Sequence, residues 1–449
     1  MEKEYLIRKR PAAALLVFAL PMMLGNFFQQ VYTMADSAIV GRLVGEDALA
    51  AVGASYSLTN VFISIAIGGG VGASVITSRT FGSREYARMK RSVSTALLSF
   101  LGISLLLGGV GLSLSRQIMV LLRTPENILD DATTYLNIYF LGLPFLFMYN
   151  VLSSMFNALG RSRIPLYLLI FSSVLNVALD IYMVGPLQMG VAGAAWATLI
   201  AQGISAVLSF CIFLKELKAY PGSLSGRLFD VGELKNMAKV ALPSILQQST
   251  VSIGMMLVQS VVNSFGSQML AGYSAAMRIE SVCIVPMSAM GNAISSYTAQ
   301  NLGAGQPERV KAGYRASYGI VFAIAAALCL VVQLLARPLI SLFMEDGGSA
   351  VAFETGMACT RFMGWFYVLI GLKMISDGVL RGAGDMTMFT VANLVNLGLR
   401  VVLAVTLAPR FGIQFVWMAV PMGWLVNYLI SFFQYRTGKW AKLHKASSQ

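Results

Sequence analysis

The chain has 449 residues, of which 57% are apolar and only 12% are charged. That charged share is roughly half of the share found in soluble globular domains, so the composition excludes an ordinary soluble enzyme and a disordered protein. The formal net charge of +13 would suit a nucleic-acid-binding protein, but the distribution of the basic residues along the chain indicates a membrane topology instead.

Low-charge stretches of about 20 residues recur from one end of the chain to the other, and this is the length that a helix needs to cross a bilayer core of about 30 Å. A transmembrane β-barrel would instead show segments of about 10 residues with alternating polarity. The sequence therefore predicts an all-α integral membrane protein with twelve transmembrane helices. The predicted spans lie near residues 12–40, 48–78, 93–115, 133–157, 165–185, 190–214, 237–263, 269–299, 313–336, 357–380, 387–408 and 412–435.

The basic residues predict how these spans are oriented. Roughly three quarters of the 33 Lys and Arg residues lie in the N-terminal segment, in the loops after even-numbered spans and in the C-terminal segment, which the positive-inside rule places in the cytoplasm. A basic start followed by an apolar run is also typical of a signal peptide, but no small-residue cleavage site follows, so we expect a retained first helix. We therefore expect a multi-pass protein of the cytoplasmic membrane with both termini in the cytoplasm.

The two halves of the chain are similar to each other. The Ala-Leu-Pro sequence that ends at Pro21 recurs at Pro243, and Asn176 recurs as Asn396, at an offset of about 220 residues. Each half begins in the cytoplasm and has six spans, so the copies run in parallel and we expect two pseudo-symmetric lobes around a central cleft. The predicted regions are an N-lobe at 1–214, a cytoplasmic linker at 215–239 and a C-lobe with a short cytoplasmic tail at 240–449.

Three motifs are similar to those of a known family. The chain carries ALPMMLGNFFQQVYTMADSAIVGR at residues 19–42, ALAAVG at 48–53 and LRGAGD at 380–385. On these motifs the chain resembles the multidrug and toxic-compound extrusion family (MATE), in particular its DinF-like bacterial and archaeal branch. The resemblance implies a cation-coupled multidrug antiporter, in which protons or Na⁺ flow in while amphipathic, often cationic compounds leave by alternating access.

Ionisable side chains at membrane depth are the leading functional candidates, because each is costly there unless it is paired or hydrated. Asp36 lies in the outer half of the first span. Asn176 and Asp180, four residues apart, share one face of the fifth span, and the helical rise places Thr198 of the sixth span at a similar depth. Two carboxylates, an amide oxygen and a hydroxyl suit a small hard cation such as Na⁺, or a proton. Each of the four also matches a position of the N-lobe cation site that the family resemblance implies.

Each of these residues has an ordinary structural interpretation as well. Asp36 would then be an interfacial residue at the end of its span, and Asp180 would pair with a basic residue. Asn176 and Thr198 would form helix–helix hydrogen bonds, as such residues do in many membrane proteins. Their shared depth favours the cation site.

The second half departs from this pattern, since Arg400 occupies the position that matches Asp180. Asp377 in the tenth span resembles a C-lobe coupling acid of some family members, but the seventh span has no companion acid. Asp377 lies four residues from both Lys373 and Arg381, so an ion pair with either is an equally good interpretation. The candidate polar site of the C-lobe comprises three charged residues: Arg278, Glu280 and Asp377.

The substrate is expected to contact side chains that combine polar and aromatic character. Methionine is common in promiscuous binding surfaces, and the chain has 25 of them. The candidate cleft residues lie in the first and fourth spans: Gln29, Tyr32, Phe147, Met148, Asn150 and Asn157.

Other classes of function are less favoured by the sequence. No glycine run precedes Lys-Ser or Lys-Thr, so we expect no phosphate loop and no ATP hydrolysis, and no catalytic residues or bound cofactor are predicted. We expect a monomer whose partners are the lipid bilayer and small amphipathic molecules, and no nucleic acid. Two alternatives remain open, namely a flippase for lipid-linked saccharides and a channel or receptor-like membrane protein.

Overall fold

The computed structural model describes residues 4–222, 228–343 and 349–446, and over these ranges the chain is helical without any strand. The described residues form fifteen helices. In chain order they are α1 (Tyr5–Arg8), α2 (Pro11–Leu43), α3 (Glu46–Gly82), α4 (Tyr86–Leu121), α5 (Glu126–Ala158), α6 (Arg163–Val184), α7 (Gly190–Lys218), α8 (Val231–Asn263), α9 (Ser267–Gly303), α10 (Pro307–Ser341), α11 (Ala350–Gly364), α12 (Tyr367–Ala383), α13 (Met386–Phe411), α14 (Gln414–Arg436) and α15 (Lys439–Ala446).

Most of these helices are long and apolar enough to cross a membrane. Ten meet that description, and α11 with α12 forms an eleventh span that is bent by 51°. The remaining long helix, α9, has 37 residues and a more polar sequence, and many of its residues are buried inside the protein. With α9 included, the described residues provide the twelve spans that the sequence predicts.

Helix α12, the second part of the bent span, packs tightly on α9. A methyl group added at Gly378 would meet the backbone carbonyl of Gly291, so the two helices approach each other backbone to backbone. Small residues allow such contacts between membrane helices, where dispersion forces and weak hydrogen bonds replace the hydrophobic effect. Next to this contact, Arg381 of α12 donates hydrogen bonds to the side chain of Asn292 and to the carbonyl of Gly291 on α9.

The chain divides into two compact units, and their limits differ from the predicted lobes. One unit, called the N-unit below, comprises Leu24–Ile245, and the other, the C-unit, comprises Met1–Met23 with Leu246–Gln449. The start of the chain therefore groups with the C-terminal half, and the predicted linker groups with the N-terminal half. Two helices are shared, since α2 begins in the C-unit and ends in the N-unit, and α8 does the reverse.

The division falls at equivalent places in the two shared helices. It lies two residues after Pro21 in α2 and two residues after Pro243 in α8. A proline inside a helix removes one backbone hydrogen bond and promotes a kink, which membrane helices tolerate where neighbouring groups satisfy the freed carbonyl. The repeated Ala-Leu-Pro sequence thus marks where each shared helix passes from one unit to the other.

Basic side chains of α4 explain why the linker belongs to the N-unit. The ammonium group of Lys90 donates hydrogen bonds to the carbonyl oxygens of Tyr220 at 2.8 Å and Gly222 at 2.6 Å. Arg88 forms an ion pair of 2.7 Å with Glu233, near the start of α8. These contacts leave no periodic signal in the sequence, because they join residues that are 130 to 145 positions apart.

A matching contact holds the start of the chain on the C-unit. Arg309, the repeat counterpart of Arg88, donates to the carbonyl oxygen of Lys9 at 2.7 Å and to that of Leu6 at 3.2 Å. The side-chain amide of Asn301 donates to the same Leu6 oxygen at 3.1 Å. Each unit therefore uses an arginine at the same repeat position to hold the first part of a shared helix or the segment before it.

Candidate functional site

Two carboxyl groups meet inside the N-unit. Asp36 belongs to α2 and Asp180 to α6, and their side chains lie within hydrogen-bonding distance of each other. Asp180 is 0% exposed. Ionised carboxylates are acceptors only, and one oxygen of Asp36 and both oxygens of Asp180 have no hydrogen-bond donor among the residues that the structure describes. Two such charges at short range repel each other unless a proton or another cation is shared between them.

An amide and a hydroxyl lie beside this carboxyl pair. Asn176 precedes Asp180 by one turn of α6 and is 2% exposed. Its side-chain nitrogen donates a hydrogen bond of 3.1 Å to the hydroxyl oxygen of Thr198 on α7, and that hydroxyl donates at 3.1 Å to the carbonyl of Ala194. The side-chain oxygen of Asn176 has no donor within the described part of the chain, so it is available as a ligand. The structure therefore brings the four predicted residues of the N-lobe together.

Two tyrosines complete the surroundings of the carboxyl pair. Tyr32 lies one turn before Asp36 on α2, and its hydroxyl is within hydrogen-bonding distance of Thr198. Tyr135 of α5 also interacts with both Asp36 and Asp180. The sequence predicts Tyr32 as a cleft residue and does not single out Tyr135, because no periodic signal aligns the depth of the fourth span with that of the first.

A small cavity adjoins this group within the N-unit. Thr198 and Gln202 of α7 line it on one side, and Tyr135 and Tyr139 of α5 line it on the other, with apolar side chains of both helices between them. The cavity therefore shares Thr198 and Tyr135 with the surroundings of the carboxyl pair. Its volume is about 20 Å³, which is room for about one water molecule and far less than a small-molecule site needs.

The predicted cleft residues have different surroundings. Gln29 is exposed, and Met148, Asn150 and Asn157 are partly buried. The side-chain amide of Asn150 donates a hydrogen bond of 2.8 Å to the carbonyl of Leu146, one turn earlier in the same helix. Among the described residues, none of these four side chains is seen to contact the Asp36–Asp180 carboxyl pair.

Phe147 lies in the core of the N-unit. Only 1% of its surface is exposed, and it belongs to an apolar core cluster in which its ring lies 6.1 Å from that of Phe100. Phe147 is therefore a core residue in this structure, and its role in a substrate cleft stays a prediction. Packing and cleft-lining positions of a membrane helix are both apolar, so hydropathy does not separate them.

The C-unit contains a buried ion pair in place of a carboxyl pair. The ammonium nitrogen of Lys373 lies 3.3 Å from Asp377 Oδ2, and both side chains are at most 5% exposed. Asn393 of α13 accepts from Lys373 at 3.1 Å and donates to Asp377 at 3.1 Å. Ser431 of α14 donates to the other oxygen of Asp377 at 2.6 Å, and Gln247 of α8 donates to Asn393 at 3.3 Å. Both carboxylate oxygens of Asp377 are thus satisfied within the protein.

The other two predicted C-lobe residues have separate partners. Glu280 of α9 is 7% exposed, interacts electrostatically with Arg400, and has one oxygen without a donor among the described residues. The guanidinium of Arg278 lies 5.9 Å from the centre of the Phe343 ring. The three charged residues predicted as one polar site therefore contact different groups, and Asp377 pairs with Lys373 in place of Arg381.

Known proteins are similar to this chain over both of its halves. The MatE family model matches residues 21–182 and again 243–406. The Probable multidrug resistance protein YpnP of Bacillus subtilis (strain 168) is 32% identical over 427 residues, which is 95% of each chain. The FAD transporter of Shewanella oneidensis is 27% identical over 340 residues, or 74% of each chain. A crystal structure of MATE in the bent conformation covers 100% of both chains with a TM-score of 0.90 and 25% identity.

Proposed function

Because the chain belongs to the MatE family, we propose that it is a multidrug exporter of the cytoplasmic membrane. It exchanges H⁺ or Na⁺ for amphipathic, often cationic organic compounds by alternating access, as a monomer with both termini in the cytoplasm. The observation that carries this proposal is the Asp36–Asp180 carboxyl pair in the N-unit, in which one oxygen of Asp36 and both oxygens of Asp180 lack donors among the described residues.

The carboxyl pair is suited to load and release a cation. With no cation bound it carries two negative charges in a buried environment, which is unfavourable both by repulsion and by loss of hydration. One shared proton removes the repulsion and satisfies the facing oxygens. Na⁺ would use the same oxygens together with the free side-chain oxygen of Asn176. Both cations therefore compete for the same atoms, and so does a cationic substrate.

This competition gives a simple mechanism of exchange. On the outer side, where the driving ion is abundant, H⁺ or Na⁺ neutralises Asp36 and Asp180 and weakens the binding of a cationic compound. On the inner side the ion is lost and the carboxyl pair regains its charge, which favours the next compound. The rings of Tyr135 and Tyr139 and the amide of Gln202 line the cavity beside the carboxyl pair, which has room for about one water molecule.

The charge of the site also separates this proposal from the flippase alternative. A carrier of lipid-linked saccharides with acidic phosphate groups needs a cationic site, whereas the described polar group of the N-unit is acidic. The family matches themselves include a protein named for drug resistance and another named a FAD transporter, so the substrate has to be determined by transport.

The decisive experiment measures export in vesicles with Na⁺ and proton gradients imposed separately. Asp36→Asn and Asp180→Asn remove one charge each with little change in shape, and each should abolish gradient-driven export at normal expression. Asp131→Asn is the matched control, because Asp131 is an exposed acid of α5, and it should export at the wild-type rate. Export by both Asp36→Asn and Asp180→Asn that still follows either gradient would rule out the proposed coupling role.

A further inference from the structure

The two units contain the same kinds of polar group around a buried acid. The N-unit combines Asp180 with the amide of Asn176 and the hydroxyl of Thr198. The C-unit combines Asp377 with the amide of Asn393 and the hydroxyl of Ser431. In both units a carboxylate, an amide and a hydroxyl come from three different positions of the bundle, and this is the ligand chemistry that suits a small hard cation.

The units differ in where the positive charge comes from. In the N-unit the oxygens of Asp180 have no donor within the described residues. In the C-unit the Lys373 ammonium lies between Asp377 and Asn393, at 3.3 Å and 3.1 Å from their oxygens. A primary ammonium is a compact point charge with three donors, so it contacts the carboxylate and amide oxygens that a bound cation would contact.

Other charged groups do not take over this role. Arg381 is on the same helix as Asp377 and interacts with it electrostatically, but its guanidinium donates to Asn292 at 2.8 Å and to the carbonyl of Gly291 at 3.4 Å on α9. The groups that reach Asp377 and Asn393 from α8, α13 and α14 are the uncharged side chains of Gln247, Asn393 itself and Ser431. From α10, the uncharged hydroxyl of Tyr314 hydrogen-bonds at 2.6 Å with Ser376, the residue before Asp377. Lys373 is therefore the direct counter-ion of Asp377.

We propose that Lys373 acts as a built-in cation that occupies the C-unit acid site, so that the exchangeable cation binds in the N-unit alone. Lys373 thereby determines how many cations are exchanged for each substrate molecule. Removing the ammonium uncovers a second site for H⁺ or Na⁺ at Asp377, because a buried carboxylate without a partner has to be neutralised. The inference rests on the proposed function for the identity of the exchanged ion, but the binding event at Asp377 is a separate property.

The test uses the full-length protein purified in detergent and a background in which the N-unit cannot bind a cation. That background carries Asp36→Asn and Asp180→Asn. Lys373→Met is added because methionine has a similar length and no charge, and the thermal midpoint Tm is measured at pH 8 with NaCl, at pH 8 with choline chloride, and at pH 6. A third protein carries Lys373→Met together with Asp377→Asn, which removes both members of the pair.

The expected result is a gain of cation dependence that requires Asp377. On addition of Na⁺ or on the shift to pH 6, the Tm of the Lys373→Met protein should rise by roughly 2–4 °C more than the Tm of its parent does. The protein that also carries Asp377→Asn should behave like the parent. If Lys373→Met does not fold at pH 8, recovery at pH 6 or by Asp377→Asn supports the proposal, and failure of both to restore folding overturns it.

An equal response of Lys373→Met and its parent would also overturn the proposal, since Asp377 would then have no need of a cation. The measurement remains informative if the proposed function fails, because it is made without the two N-unit acids. Unchanged coupling in Asp36→Asn and Asp180→Asn vesicles removes the proposed function, whereas the Tm response of Lys373→Met decides the role of Lys373 independently.

Discussion

The N-unit and the C-unit have the same succession of spans but treat buried charge in opposite ways. The acids Asp36 and Asp180 of the N-unit face each other, and one oxygen of Asp36 and both oxygens of Asp180 lack donors among the described residues. Asp377 of the C-unit accepts hydrogen bonds at both oxygens and faces the ammonium of Lys373. Both units thus combine a carboxylate, an amide and a hydroxyl, but at positions that the repeat does not relate, since Arg400 and Asn396 are the counterparts of Asp180 and Asn176.

The difference extends to the helices that carry these groups. The eighth span, α9, is the more polar of the two, whereas its counterpart α3 has an apolar stretch at Leu58–Gly82 that qualifies as a membrane span, and both helices are largely buried. Polar atoms of α9 accept from Arg381 on α12. The C-unit is therefore held together by internal polar contacts as well as by packing, and we expect its stability to depend on charge more strongly than that of the N-unit.

The largest expected effect comes from making the same substitution in both units. Asp377→Asn leaves the Lys373 ammonium buried without a counter-charge, and breaking a buried ion pair in this way costs about 3–5 kcal/mol. Asp180→Asn removes repulsion between like charges, so it should leave the stability unchanged or raise it. Thermal unfolding of both variants in detergent near neutral pH measures this difference in stability. A similar loss of Tm in the two variants would mean that the acids of the two units have equivalent surroundings.

The next effect concerns the tight contact between α9 and α12 in the C-unit. Gly378→Ala would place a methyl group against the carbonyl of Gly291, and overpacking of this kind costs about 1–3 kcal/mol. Gly398→Ala in α13 is the matched control, since an added methyl group there meets nothing within 4 Å and alanine favours a helix. The Tm of Gly378→Ala should fall while that of Gly398→Ala stays level or rises. Tolerance of both would show that α12 can shift on α9 without loss.

The candidate site could be predicted where helical periodicity and depth carry the information. Asn176 and Asp180 share a face because they are four residues apart, and a fixed rise per residue brings Thr198 of the next span to their level. The choice between Lys373 and Arg381 as the partner of Asp377 could not be made in this way, because both lie one turn away. It depends on how α12 is rotated against α9, and that rotation is set by contacts such as Gly378 against Gly291.

The limits of the units were also beyond prediction from the sequence. Hydropathy places each span but says nothing about which neighbours it contacts. The segment after α7 joins the N-unit through the contacts of Lys90 with Tyr220 and Gly222. These are hydrogen bonds to backbone carbonyl oxygens. Every residue has such an oxygen, so the sequence does not show which one accepts.

A smaller effect is expected where each unit holds the start of a shared helix. Arg309→Met removes hydrogen bonds to the carbonyl oxygens of Leu6 and Lys9, each worth about 1 kcal/mol. Arg88→Met removes the ion pair with Glu233. Hydrogen–deuterium exchange should become faster at residues 6–12 in the first variant and at 231–236 in the second, with no change in the other segment. Faster exchange in both segments of either variant would contradict separate anchoring.

The smallest effect concerns the first turn of α8. Its free backbone N–H groups are satisfied differently from those of α2. Asp230 Oδ1 accepts from the backbone N–H of Gly232 at 2.8 Å and of Glu233 at 3.3 Å, whereas α2 begins with Pro11, which has no N–H to satisfy. The N–H groups of Glu233 and Gly232 hold the pKa of Asp230 below its usual range. A lowered folded-state pKa means that this stabilisation is complete above the unfolded value of about 4 and is lost as the pH falls through the lower, folded value.

Asp230→Ala should therefore speed amide exchange at Gly232 and Glu233 at neutral pH and leave the start of α2 unchanged. Asp230→Asn can still cap the helix, so it should change the exchange at Gly232 and Glu233 less. Equal exchange in the wild type and in Asp230→Ala would show that the first turn of α8 is held by the Arg88–Glu233 pair alone.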